Sequence, residues 1–161
     1  MKAAAGSIVF LAVAPGVMAG LIPYLLTGWE AAGEVPWWQA AAGWALVAAA
    51  TAALLSAFAR FVVEGVGTPA PVAPTQHLVV GGLYRYVRNP MYVAVASTII
   101  GQALLLDRPG LLLYALVFMA AVWSFVHFYE EPVLTARYGA EYDAYRRAVP
   151  GWRPRRRPWT P

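Results

Sequence analysis

The feature that most constrains this chain is the spacing of its apolar runs. Four stretches, at about residues 5–29, 37–63, 90–106 and 111–129, carry almost no charge and are separated by connectors rich in proline, glycine and arginine. A helix needs about 20 apolar residues to cross a bilayer, and it satisfies its backbone hydrogen bonds within itself, as hydrocarbon requires. The third stretch only just reaches that length. Composition agrees, since 12% of the residues are charged and mean hydropathy is +0.55, against about 25% charge in a soluble domain. The expected fold class is all-α: a polytopic membrane protein of about four transmembrane helices, with a fifth, broken or interfacial helix as a variant, and a C-terminal amphipathic cytoplasmic segment. A single membrane domain over 1–161 is expected, built from an N-terminal helical hairpin (1–64) and a core (77–152).

Each connector has its own chemistry. The first run contains Pro15 and Pro23, tolerated where neighbouring helices satisfy the freed carbonyls, and a Gly16/Gly20 step on which another helix could pack closely. It follows Lys2 but is longer than the apolar part of a signal peptide, so a retained span is expected. The alanine-rich second run suits packing against the first. Trp29, Trp37 and Trp38 flank the first loop as interfacial aromatics do. Arg60 and Glu64 stand four apart and can pair on one helical face. Residues 65–76 hold three prolines and two glycines, a composition for an extended connector. His77 to Val80 reads as extended chain and Gly81-Gly82 as a turn. Asn89-Pro90 reads as a helix start, with asparagine at the cap and proline at the first helical position.

After Glu130-Glu131-Pro132 the spacing of Leu134, Tyr138, Tyr142, Tyr145 and Val149 gives an amphipathic interfacial helix, broken at Gly139 and ended by Pro150. The tail GWRPRRRPWTP reads as a surface segment contacting anionic lipid headgroups, or as disordered chain. Basic residues are absent from the first loop and concentrated at 60–88 and after the fourth span, which puts both termini and the 65–89 segment in the cytoplasm. On that side His77, Tyr84, Arg88, Tyr92, His127, Glu130 and Glu131 converge. A set with both signs of charge, histidines and tyrosines beside a Gly-Gly turn reads as a functional site. A packed or water-bonded His127 is the plainer alternative. No strand–GxGxxG–helix unit is present, metal ligation has no HExxH-like spacing behind it, and the chain has no cysteine.

The segments GGLYRYVRNPMY and EEPVLTARYGAEYDAYRRAVPGW resemble the C-terminal core of the isoprenylcysteine carboxyl methyltransferase and phospholipid methyltransferase superfamily of integral membrane enzymes. The resemblance covers about residues 77–152. It rests on His77, Gly82 and Tyr84, on Arg88-Asn89-Pro90 with Tyr92, on Glu130-Glu131, and on Gly139 with Tyr142. It implies S-adenosyl-L-methionine as methyl donor, held without a Rossmann fold by His77, Leu78, Gly82, Tyr84, Arg88, Pro90, Tyr92 and Glu131. Arg88, Tyr92, Glu130 and Glu131 are the implied catalytic residues.

The implied acceptor is a lipid-like molecule entering laterally from the membrane. A carboxylate acceptor is already ionised near neutral pH and needs only positioning, for which Arg88 is suited. An amine acceptor must lose a proton, to His77, His127 or a glutamate. Asn89 stands where isoprenylcysteine enzymes typically carry histidine. A carboxylate is the favoured acceptor, with phospholipid amine methylation, an NADPH-dependent membrane reductase and a non-catalytic membrane helper as alternatives. No nucleic-acid partner is expected, and the oligomeric state is open.

Overall fold

Apolar helices that cannot bury their surface against water must bury it against each other or against lipid, and the bundle does both. The computed structural model describes residues 13–65 and 77–160. It contains α1 (Val13–Thr27), α2 (Trp37–Gly65), α3 (Pro90–Leu106), α4 (Gly110–Tyr138) and α5 (Ala140–Ala148), and no strand among the described residues. Helices α2 and α4 are long and apolar enough to cross a membrane, whereas α1 and α3 are shorter apolar helices. Trp44, Leu55, Leu113, Leu116 and Val117 are exposed along α2 and α4. So much exposed apolar surface suits contact with lipid chains.

Small residues decide which helices meet. Gly43 of α2 and Gly101 of α3 lie against each other. A Cβ on Gly43 would come within 2.7 Å of Leu105 Cγ, and one on Gly101 within 2.6 Å of Val47 Cγ2. The alanine-rich face of α2 therefore packs on α3, correcting the expectation that it packs on the first span. No atom lies within 4 Å of a Cβ built on Gly16 or Gly20, so that pair is not a close-packing face among the described residues. Across from α2, the other face of α3 builds the main core, with Val95, Ala96, Ile99 and Ala103 against Leu111, Ala115 and Phe118 of α4.

Two prolines are absorbed by π turns. In α1 the Ile22 N–H bonds to the Val17 carbonyl across the turn Val17–Leu21, and Pro23 has no N–H to offer the carbonyls before it. Neighbouring helices supply the missing donors: Gln102 Nε2 donates to the Ala19 carbonyl at 2.6 Å and the Tyr114 hydroxyl to that of Met18 at 2.8 Å. A second π turn, Val126–Glu130, precedes Pro132 in α4. It lets the helix run on to Tyr138, where the sequence suggested a span ending near residue 129.

The two ends of the bundle differ. At one, Ala32 N–H donates to the Leu106 carbonyl at 2.9 Å, Arg108 Nε to that of Glu30 at 3.2 Å, and Gln39 Nε2 to Asp107 Oδ1 at 3.1 Å. These bonds close the first loop onto the α3–α4 turn. The other end gathers the C-terminus of α2, the 77–89 segment, the π turn of α4, α5 and the tail. Gly139, at φ +51°, makes the break between α4 and α5. The tail beyond Pro150 is neither disordered nor merely lying on the surface. It forms a strap paired along 85–89, for reasons that the sequence does not carry. The proposed 65–76 connector lies outside the described residues except for Gly65, which ends α2, and the first part of span one lies outside them too.

Candidate active site

The Gly-Gly turn is seated by α2. Glu64 Oε2 accepts the Gly81 N–H at 2.9 Å while Oε1 faces Arg60 Nη1 at 3.2 Å. Any side chain at Gly81 would collide with the Glu64 carboxylate, and one at Gly82, which holds φ +55°, would come within 2.8 Å of Arg60 Cγ. The 3₁₀ turn Gly82–Arg85 that follows drives Tyr84 inward against Ala57 and Val79. The Tyr145 hydroxyl of α5 donates to the Tyr84 carbonyl at 2.7 Å. Burial pushes the phenols of Tyr84, Tyr142 and Tyr145 upward, Tyr142 to about 12, with Arg88 opposing the rise at Tyr142 and Tyr145. All three stay neutral at physiological pH, as the Tyr145 hydrogen bond requires.

Arg88 comes next along the chain and is almost buried. Its Nη2 meets Glu131 Oε1 at 2.9 Å, and Arg146 Nη2 meets Glu131 Oε2 at 3.4 Å. One carboxylate thus sits between two guanidiniums, at 7% exposure. Nε and Nη1 of Arg88 are buried without a hydrogen-bond partner among the described residues. Asn89 occupies the cap position of α3 with Pro90 next, but its side chain makes no capping bond. It is buried against the tail instead, with Nδ2 close to Gly151. One turn into α3, the Tyr92 hydroxyl donates to Glu130 Oε2 at 3.2 Å.

These groups border a cavity of about 230 Å³. Its polar end is formed by Tyr84, Arg88, Asn89, Tyr92 and Glu130, and its apolar wall includes Met18 of α1, Val95 of α3, and Phe118 and Val122 of α4. Tyr84, Arg88, Pro90, Tyr92 and Glu130 therefore converge, and Glu131 stands behind them through Arg88. The other candidates lie elsewhere. His77 is exposed, and Leu78 is partly buried among Tyr142, Tyr145 and Val149. Gly82 serves the turn against Arg60. His127 is exposed on α4, its ring stacked on Trp123 at 5.2 Å and not on the cavity wall. Among the described residues no three His, Asp or Glu side chains gather as a metal site.

Three contributors escape a reading of the sequence. Glu64 was paired with Arg60, but its bond to Gly81 crosses a connector without periodicity. Arg146 is one of two adjacent arginines on α5, and nothing in its spacing points to Glu131 across the Gly139 break. Asn89 carried a capping signal, and nothing local marks its contact with the tail.

The family model for phospholipid methyltransferase matches residues 38–141. The chain belongs to that family. It is thereby a member of the isoprenylcysteine carboxyl methyltransferase and phospholipid methyltransferase superfamily of integral membrane methyltransferases. No curated protein and no solved structure matches the chain. The region shared with the phospholipid methyltransferase family runs from the start of α2 into α5 and contains the whole Arg88, Tyr92, Glu130 and Glu131 cluster, while α1 and the strap lie outside it.

Proposed function

We propose that this membrane methyltransferase uses S-adenosyl-L-methionine and methylates a lipid-like acceptor that reaches the cavity from within the bilayer. The observation that carries the reading is the two-sided cavity, where a cation and a carboxylate stand at one end of a wall otherwise made of aliphatic and aromatic side chains. The residues present fit the donor. Glu130, on the cavity wall and bonded to Tyr92, suits the methionyl ammonium. When bound, the donor supplies an electrophilic methyl group on a sulfonium.

The chain's own groups supply the rest. Nε and Nη1 of Arg88 lack partners and can orient a carboxylate acceptor, which needs no base because it is ionised at neutral pH. Glu131 and Arg146 fix the Arg88 side chain. The apolar wall of Met18, Val95, Phe118 and Val122 excludes water and aligns the acceptor's hydrocarbon, so orientation in a dry site contributes much of the rate. A second reading, an amine acceptor, draws on Glu130, which stands on the cavity wall and can receive the amine proton. The arginine distribution supports a cytoplasmic placement of this end of the bundle and of both termini.

Calorimetry in nanodiscs with S-adenosylhomocysteine and with NADPH tests the donor. Binding of the first alone is expected, and binding of NADPH alone would replace methyl transfer by reduction. Methyl transfer from labelled donor to a prenylcysteine analogue or to phosphatidylethanolamine then decides between carboxylate and amine.

A further inference from the structure

We propose that the C-terminal strap is a binding site for the headgroups of anionic lipids, and that its occupancy steadies the backbone of the arginine at the cavity. The inference goes beyond methyl transfer and does not depend on which donor the enzyme uses.

The strap is held by its backbone. Arg88 N–H donates to the Pro150 carbonyl at 2.9 Å and Asn89 N–H to that of Gly151 at 3.2 Å. Returning bonds run from Arg155 N–H to the Tyr86 carbonyl and from Trp159 N–H to that of Arg85, both at 2.9 Å. Two side chains lock the same strip: Arg85 Nε donates to the Trp159 carbonyl at 2.6 Å and Arg155 Nη1 to that of Ala148 at 3.0 Å. Pro150, Pro154 and Pro158 keep the segment from coiling into a helix.

This fixed backbone leaves its other arginines outward. Arg153, Arg156 and Arg157 are exposed and make no ion pair among the described residues, and Arg147 on α5 is likewise exposed. No acidic residue follows Asp143 in the sequence, so the strap itself carries no counter-charge. The position says which anion meets them. The strap lies at the bundle end where the exposed Phe125, Phe128 and Tyr129 of α4 give way to charged residues. Trp152 and Trp159 of the strap are partly buried, with Trp152 beside Tyr92 and Trp159 beside Tyr145. Tryptophans at the rim of an apolar bundle sit at headgroup depth. Planar guanidiniums held there match lipid phosphates in charge and geometry, and each is attracted by an anionic leaflet. Because the strap also binds the Arg88 and Asn89 amides, a headgroup bridging its arginines slows the opening of both edges together.

Hydrogen–deuterium exchange of the full chain in nanodiscs tests this. Peptides containing the Arg88, Asn89, Arg155 and Trp159 amides should exchange at least about fivefold more slowly in discs containing phosphatidylglycerol than in phosphatidylcholine discs. High salt should erase the difference. The triple variant Arg153→Gln, Arg156→Gln, Arg157→Gln should exchange like the parent in phosphatidylcholine and gain no protection from phosphatidylglycerol. Equal exchange of the parent in both lipids would overturn the proposal, as would full protection of the triple variant. Equal protection from inorganic phosphate or a short RNA added to phosphatidylcholine discs would overturn the lipid assignment. Binding of S-adenosylhomocysteine, measured separately, keeps a failure here distinct from a failure of the methyltransferase reading.

Discussion

A carboxylate held between two guanidiniums, as Glu131 is between Arg88 and Arg146, has given up most of its hydration and interacts with those cations in its place. Arg88 relies on it in turn, since its Nε and Nη1 have no hydrogen-bond partner among the described residues. Removing one member of a buried ion pair costs about 3–5 kcal/mol because the other is left uncompensated. Arg146 is nearly half exposed and loses little. Glu131→Gln keeps the shape and removes the charge, so Arg88 should leave its place. Methyl transfer to a carboxylate acceptor is expected to fall about tenfold or more, equivalent to at least about 1.4 kcal/mol, while the helical content is retained. Labelled methyl transfer and circular dichroism on the same preparation check both halves, and unchanged transfer would remove Glu131 from the site. The convergence of Arg88, Glu130 and Glu131 was legible because charged residues at the foot of apolar runs are costly without a purpose, and Tyr92 follows the helix start that Asn89-Pro90 marks. His77 and His127 carried the same signal, yet one is exposed and the other stacks on Trp123. Residue type gave their chemistry, and only the packed helices give their direction.

At the scale of elements, the apolar helices were readable and their pairing was not. Asn89-Pro90 marked the start of α3, and Gly139 marked the break before α5, because each restricts the backbone locally. Which glycine admits a neighbouring helix depends on what stands opposite, and Gly43 and Gly101 meet from helices far apart in sequence. Gly101→Ala places a methyl against Val47 with no space to accept it, at a cost of about 1–3 kcal/mol for overpacking. Gly20→Ala meets open space and should change stability by less than about 1 kcal/mol. Thermal unfolding in one detergent should therefore separate the two by several degrees, and equal midpoints would refute the α2–α3 contact. The clamp of α5 on the 3₁₀ turn carries a pH dependence. Tyr142 and Tyr145 are neutral phenols whose folded pKa values lie above the unfolded value near 10, with Tyr142 at about 12. Their contribution is complete below pH about 10 and is lost as pH rises from there through the folded values. Proteolysis at the α4–α5 break should accelerate in that alkaline window, and Tyr145→Phe, which leaves the Tyr84 carbonyl without its donor, should show the acceleration already at neutral pH.

For the whole molecule, apart from the bonds of Gln102 and Tyr114 to α1, the polar contacts between elements sort to two ends. One gathers the first loop and the α3–α4 turn, and the other gathers every charged group that borders the cavity. That division was legible from arginine placement, because a basic connector resists transfer across the membrane whatever the helices between do. The strap was not legible, since its bonds to residues 85–89 are backbone bonds that no side-chain pattern announces. The same division makes orientation testable without disturbing the site. The chain has no cysteine, so a single introduced thiol reports its own compartment. Ala31 in the first loop and Thr160 at the end of the strap are both exposed, and neither borders the cavity. In intact cells an impermeant maleimide should label Ala31→Cys and leave Thr160→Cys unlabelled until the membrane is opened. The reverse pattern would move the Arg88–Glu131 cluster to the outer face, away from a cytoplasmic methyl donor. Labelling of both in intact cells would break the pairing of ends on which the bundle is built, because an even number of crossings would then separate residues that the fold places an odd number apart.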